Sequence, residues 1–162
     1  MTPDYWDKAK RSLAKRDPVL GLVIRSYKGD SMKLRDKGFQ TLTRAIVGQQ
    51  ISVKAADSIW KKLRKAVVHV TPERIAYASY DVLRPCGLSN AKVIYLHSLA
   101  NHFLENRKQI SKWPSMDDDA IIQELATIKG VGRWTAEMFA ISYADVMPRR
   151  LLNIASIVCL VT

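Results

Sequence analysis

Between Ile128 and Phe139 the chain reads IKGVGRWTAEMF, two glycines one residue apart with a cation on either side, Lys129 and Arg133. Glycine inside a helical pattern costs stability, so Gly-x-Gly here marks a place where the backbone must turn or be approached closely. The flanking cations make the approaching group an anion. An amphipathic run (Ile121, Ile122, Leu125, Ile128) precedes the stretch and a second run follows to Tyr143, so the stretch is predicted to be the turn of a helical hairpin. Such a turn, Lys129-Gly130-Val131-Gly132, presents the unbonded N–H groups of a helix start, where the helix dipole also favours negative charge. Val131 would anchor it in the core. A plainer reading makes Gly130 only a helix C-cap and Gly132 a turn residue.

The other chemistry-bearing residues give less. The two cysteines, Cys86 and Cys159, lie far apart and in no CxxC pattern, which excludes a zinc site or an iron–sulfur cluster on sequence grounds and implies a reducing compartment. His69, His97 and His102 have no acid or cysteine at ligand spacing and read as surface or core residues.

The elements that must position the Gly-x-Gly turn read as helices from end to end. Thr2-Pro3-Asp4 is a helix start, running to about Lys15, and Asp17-Pro18 starts a second helix ending near Tyr27. Lys28 to Gly38 is polar and reads as a loop. Gln40 to Val47 has helical spacing. Ser52 is placed to cap Val53 to Val67, with Ala56, Ile59, Trp60 and Leu63 on one face. Thr71-Pro72-Glu73 starts a helix, and Ser79 or Asp81 a short one that stops at Pro85-Cys86-Gly87. Ser89 begins a longer one, to about Glu105. Trp113-Pro114-Ser115 breaks the chain, and Asp117, Asp118 and Asp119 occupy the next helix's first turn. Only Val67-Val68-His69-Val70 is strand-like. The chain is therefore predicted to be all-α, a single domain over residues 1–162.

With 48% hydrophobic residues the composition is that of a globular protein, and the net charge of +11 fits a polyanionic partner, nucleic acid first and an anionic membrane second. No apolar run is long enough to span a bilayer; the longest, Leu151 to Val161, is interrupted by Asn153 and Ser156.

The longer string Leu125-x-x-Ile128-Lys129-Gly130-Val131-Gly132-x-Trp134-Thr135-Ala136 resembles the helix–hairpin–helix of the base-excision DNA glycosylases, and its Trp-Thr-Ala ending looks like the DNA-3-methyladenine glycosylase II branch. Leu42 to Val53 (LTRAIVGQQISV) is similar to that branch's segment between two helices, and Leu83 to Lys92 (LRPCGLSNAK) to its turn before a long helix. The resemblance implies a bilobal helical bundle with an interlobe cleft, hydrolysis of the N-glycosidic bond of alkylated purines in double-stranded DNA, and extrusion of the target nucleotide from the stack. It gives the DNA backbone to Lys129, Gly130, Val131, Gly132, Arg133 and Thr135, with a monovalent cation at the backbone of Gly130 and Gly132 and no other cofactor. It makes Gln50 the wedge filling the gap of the flipped base, with Gln49 and Ile51 beside it. Trp134 would line the base pocket, where its face attracts a cationic alkylpurine; the plain alternative is a core tryptophan. Bifunctional relatives hold a lysine at this slot that forms a Schiff base and cleaves the strand. With Trp134 there, the chain is expected to be monofunctional. It is expected to act as a monomer, in the cytoplasm beside a bacterial-type nucleoid or in the nucleus.

Past the hairpin the resemblance decays. Asp145-Val146-Met147-Pro148 resembles the lead-in to the family's catalytic aspartate, but no Asp-Asp pair follows and Asn153 stands nearest that slot. Asn153 keeps the shape and loses the charge that offsets a developing oxocarbenium ion. Asp145 is the carboxylate left in the region and belongs to the loop in the family pattern. The family continues with helices that close over the cleft, which residues 149–162 do not resemble. The C-terminal part is thus expected to be incomplete, through truncation or a frame shift, or else a final buried helix of a divergent member. Three classes follow: an alkylpurine glycosylase with impaired catalysis; a non-catalytic helix–hairpin–helix DNA-binding module with salt-sensitive, sequence-independent binding; and a helical domain with a protein partner.

Overall fold

Four of the described helices start on a side chain that does the work of a missing backbone acceptor. In the computed structural model, which describes residues 6–27 and 38–143, Asp17 accepts from the amides of Val19 and Leu20 at 2.8 and 3.1 Å. Ser52, Thr71 and Ser89 accept from the amides of Ala55, Arg74 and Lys92, each at 3.3 Å. These caps satisfy amides that no helical carbonyl can reach. They set the starts of α2 (Pro18–Ser26), α4 (Val53–Val67), α5 (Pro72–Tyr77) and α7 (Asn90–Glu105). The remaining helices are α1 (Trp6–Arg16), α3 (Gly38–Gly48), α6 (Tyr80–Leu83), α8 (Arg107–Ile110), α9 (Asp118–Ala126) and α10 (Arg133–Tyr143). Short 3₁₀ turns occupy Arg84–Cys86 and Trp113–Ser115. Among the described residues there is no strand, and the all-α expectation holds. The helix start at Thr2-Pro3-Asp4, most of the loop after Tyr27, Asp145 and Asn153 lie outside the described residues.

Two local readings are corrected, and one helix is additional. Gly38 opens α3 and is no loop residue. Val67 to Val70, strand-like in sequence, forms no strand. Val67 closes α4, Val68 turns the chain with φ 62°, and Val67 and Val70 are both buried. The turn of helix α8 has no apolar period in its sequence, RKQI, and was not foreseen.

The core is a chain of aromatic edges. Phe39 of α3 meets Phe103 of α7 with ring centroids 5.2 Å apart, Phe103 meets Trp113 at 5.6 Å, and Trp113 meets Phe139 of α10 at 5.8 Å. All three contacts are edge-on, the arrangement the ring quadrupoles prefer. Leu42, Ile46, Leu63, Leu96, Leu99, Ile121 and Leu125 complete a core shared by α3, α4, α7 and α9. Glu124 of α9 accepts from Trp113 Nε1 and is bonded to His102 Nε2, both at 3.1 Å, tying α9 to α7 and the Trp113 turn. Helices α9 and α10 are thus held on the same platform as α3 and α7.

Candidate nucleic-acid interface

The turn between α9 and α10 is tight because its amides fold back on the preceding helix. Ile128 donates to the Leu125 carbonyl at 3.0 Å and Val131 to the Ile128 carbonyl at 2.9 Å. Ile128 and Val131 are buried, while Lys129, Gly132, Arg133 and Trp134 are exposed. Helix α10 begins when Ala136 donates to the Gly132 carbonyl at 3.0 Å. The amides of the first turn, Arg133 to Thr135, have no acceptor within a helix that starts there.

The two glycines are there for different reasons. Gly130 has φ +91°, and a Cβ on it would lie 2.2 Å from Cγ of Tyr95. Packing and backbone both demand glycine. Gly132 lies outside the left-handed region, and a Cβ on it would meet nothing within 4 Å. Neither the fold nor the backbone requires a glycine at 132. What it provides is bare backbone, open to solvent, at the start of an 11-residue helix. That is the close approach an anion needs.

Beside this turn stands a second one. Helix α3 ends at Gly48, Gln49 donates its amide to Ile46 at 3.3 Å, Gln50 has φ 57°, and Ser52 starts α4. A non-glycine residue in the left-handed region stores strain of about 1 kcal/mol or more. Gln49 Nε2 donates to the Gly130 carbonyl at 2.9 Å and joins the two turns. The structure therefore separates the three residues grouped as a wedge: the Gln49 side chain is turned into the hairpin, while Gln50 and Ile51 face solvent.

Trp134 is 61% exposed, which rules out a core tryptophan. Its neighbours Thr135 and Ala136 are buried, so the ring is held out from a firmly seated turn. Arg133 Nε bonds Glu137 Oε1 at 2.8 Å one helical turn on, which raises the guanidinium pKa, through the hydrogen bond first and charge second. An exposed pair of this kind is worth little, so the guanidinium can turn to a phosphate at small cost.

Two residues that sequence reasoning did not assign sit beneath these turns. Lys92 Nζ donates to the carbonyls of Val47 and Gln49, both at 2.8 Å, and Tyr95 lies against Gly130. Lys92 was visible only as the last residue of the LRPCGLSNAK string.

Among the described residues, no three His, Cys, Asp or Glu side chains group as metal ligands. The carbonyls of Gly130 and Gly132 each already accept one N–H, from Gln49 and Ala136. Each keeps a second lone pair, the donor chemistry a monovalent cation takes. Among the described residues no helix is long and apolar enough to cross a membrane.

A glycine turn between two seated helices, with a glutamine turn bonded to it and a tryptophan held out beside it, defines a helix–hairpin–helix protein. Residues 43–157 match the model of the HhH-GPD superfamily base excision DNA repair proteins, and the chain belongs to that family. It is 28% identical to DNA-3-methyladenine glycosylase 1 of Schizosaccharomyces pombe over 82% of this chain and 61% of that protein. It is 37% identical to the DNA-3-methyladenine glycosylase of Saccharomyces cerevisiae over 64% of this chain and 38% of that protein. The solved Schizosaccharomyces pombe 3-methyladenine DNA glycosylase in complex with abasic DNA superposes with a TM-score of 0.69 at 27% identity, covering 83% of this chain and 68% of that one. The chain spans about half the length of the curated relatives it matches.

Proposed function

We propose that the chain is a monofunctional DNA glycosylase acting on alkylated purines of the 3-methyladenine type, with slow turnover. The observation that carries this is the Gln49–Gly130 bond, which sets the Gly130-Val131-Gly132 hairpin and a solvent-facing Gln50-Ile51 turn side by side. One grips backbone and the other enters a gap in the stack. The relatives named as 3-methyladenine glycosylases support the substrate class.

In this reading the open backbone at Gly132 and the amides of the first turn of α10 receive a phosphate oxygen, with Lys129 and Arg133 adding charge. A monovalent cation on the free lone pairs of the Gly130 and Gly132 carbonyls would supply further positive charge to that phosphate. Gln50 and Ile51 fill the space of the extruded nucleotide. Trp134 offers its face to a cationic base, an attraction of about 0.5–2 kcal/mol that a neutral base does not gain. A lysine would be needed at that slot for strand cleavage. The slow rate follows from Asn153, which in the family resemblance stands nearest the catalytic aspartate slot. Without the carboxylate the oxocarbenium charge is poorly offset. A cationic base still departs more readily than a neutral one, so its release needs the least help. Asp145 is the carboxylate nearest in sequence that could substitute.

Asn153 equally favours a second reading, a non-catalytic module that holds damaged DNA. A single-turnover assay on duplex carrying methylated adenine, followed by alkali, separates the two. The glycosylase reading expects strand breaks only after alkali, and faster release from an Asn153→Asp variant. Salt-dependent binding with no base release by either protein would establish the module. Strand breaks before alkali would overturn monofunctional action.

A further inference from the structure

Lys92 is a partly buried ammonium whose pKa is lowered by desolvation, and among the described residues it has no carboxylate partner. A lysine left in water would avoid that penalty. Its two acceptors are specific. They are the carbonyls of Val47, in the last turn of α3, and Gln49, the first residue after the helix. The end of a helix leaves such carbonyls without partners and carries negative dipole charge, so an ammonium there is well placed. The Lys92 backbone is fixed in turn by the Ser89 cap at the start of α7.

One helical turn further along α7 is Tyr95, whose ring fills the space a Cβ on Gly130 would take. Residues three apart share a helix face, so one face of α7 carries both turns. Lys92 holds the Gln49-Gln50-Ile51 turn, Tyr95 supports the hairpin, and Gln49 Nε2 joins them at 2.9 Å. The strained Gln50 follows directly after the carbonyl that Lys92 holds.

We propose that Lys92 is the positioning residue of the damage-recognition turn. By fixing the Val47 and Gln49 carbonyls it keeps Gln50 and Ile51 at the distance from the hairpin that suits a gap in a duplex, and so sets the preference for gapped over intact DNA. This rests on the proposed glycosylase reading. Lys92 touches neither DNA nor base. Its loss leaves the hairpin on Tyr95 and its phosphate contacts intact, and frees only the neighbouring turn.

The test compares binding to an intact duplex with binding to the same duplex carrying a tetrahydrofuran abasic analogue, by fluorescence anisotropy at fixed salt. Wild type is expected to prefer the abasic duplex. Lys92→Met is expected to lower that preference about tenfold, the worth of a hydrogen bond to a charged group, with intact-duplex affinity within about twofold. Lys92→Arg, which keeps the charge, should recover part of the preference. Gln49→Leu removes the other side of the clamp without burying a charge and serves if Lys92→Met does not fold. It should lower the preference in the same way, and the two losses should not add in the double variant. A preference unchanged in Gln49→Leu and in any folded Lys92→Met overturns the proposal, as does an equal fall in both affinities, which marks a general loss of structure. A wild-type protein that binds intact duplex with no preference for the abasic one overturns the glycosylase reading and this inference with it; variant-only failure overturns this inference alone.

Discussion

Two helical hairpins among the described residues, α1–α2 and α9–α10, are put to different ends. In α1–α2, Asp17 caps the second helix and Gly21 lets the helices close, a Cβ there falling 3.1 Å from the Ala14 carbonyl oxygen. Yet α1 buries no residue, α2 buries only Gly21, and Val19, Leu22 and Val23 stay exposed. In α9–α10, Ile121, Leu125, Ile128, Val131, Ala136 and Phe139 are buried, Glu124 bonds two other elements, and the turn rests on Tyr95 and Gln49. Caps and glycines suffice to make a hairpin. Fixing one closely enough to meet a phosphate takes an apolar face on both helices and polar bonds to the turn itself. A binding site belongs on the second kind.

That contrast can be broken at single residues. The largest effect is expected for Gly130→Ala, where a methyl must enter the Tyr95 ring and adopt φ +91°. Strain and overpacking together should cost about 2–4 kcal/mol in chemical denaturation. A loss near zero would mean the turn is not seated as described. Glu124→Ala removes the acceptor of Trp113 Nε1 and the His102 bond and should cost about 2 kcal/mol. Gly21→Ala should change stability by less than about 1 kcal/mol, because the helix-propensity gain opposes the close contact with Ala14. A fall there as large as that of Gly130→Ala would erase the distinction between the hairpins.

The smallest effect concerns the start of α9. Burial first, then the charges of Asp117 and Asp119, raise the pKa of the Asp118 carboxyl. Between the unfolded and the raised folded value the folded chain binds more protons, so stability falls as pH rises through that window and the cost is fully present at neutral pH. Asp118→Asn should therefore raise Tm slightly at pH 7, by under about 2 °C, and the gain should vanish in acid below both values. A gain that persists there would point to packing and not charge.

Much of the fold was legible because it is written locally. Ser52 and Ser89 cap the helices they are expected to cap, and α4 begins and ends where apolar spacing places it. The hairpin turn was legible from its glycines and cations. Its fixing was not. The Gln49–Gly130 bond joins residues 81 apart in the chain, and Lys92 reaches carbonyls 45 and 43 residues away. Such contacts depend on how α3, α7 and α10 cross, which no periodicity encodes. The resemblance accordingly groups Gln49 with Gln50, though the Gln49 side chain faces the hairpin. Gly130 and Gly132 look alike in sequence; the position of Tyr95 and the φ of +91° at Gly130 tell them apart. The strand-like composition at Val67 to Val70 reflects two buried valines on either side of a turn.

On the proposed reading, Gly132 is bare for the sake of an approaching phosphate. Gly132→Ala tests it most directly, since a Cβ there meets nothing in the protein. Thermal unfolding and binding to abasic-analogue duplex should be measured on the same preparation. The expected result is a Tm within about 2 °C of wild type with affinity lowered about tenfold, the worth of a charge-assisted hydrogen bond. Unchanged affinity in a variant of unchanged stability would contradict the claim and leave Gly132 a turn residue only.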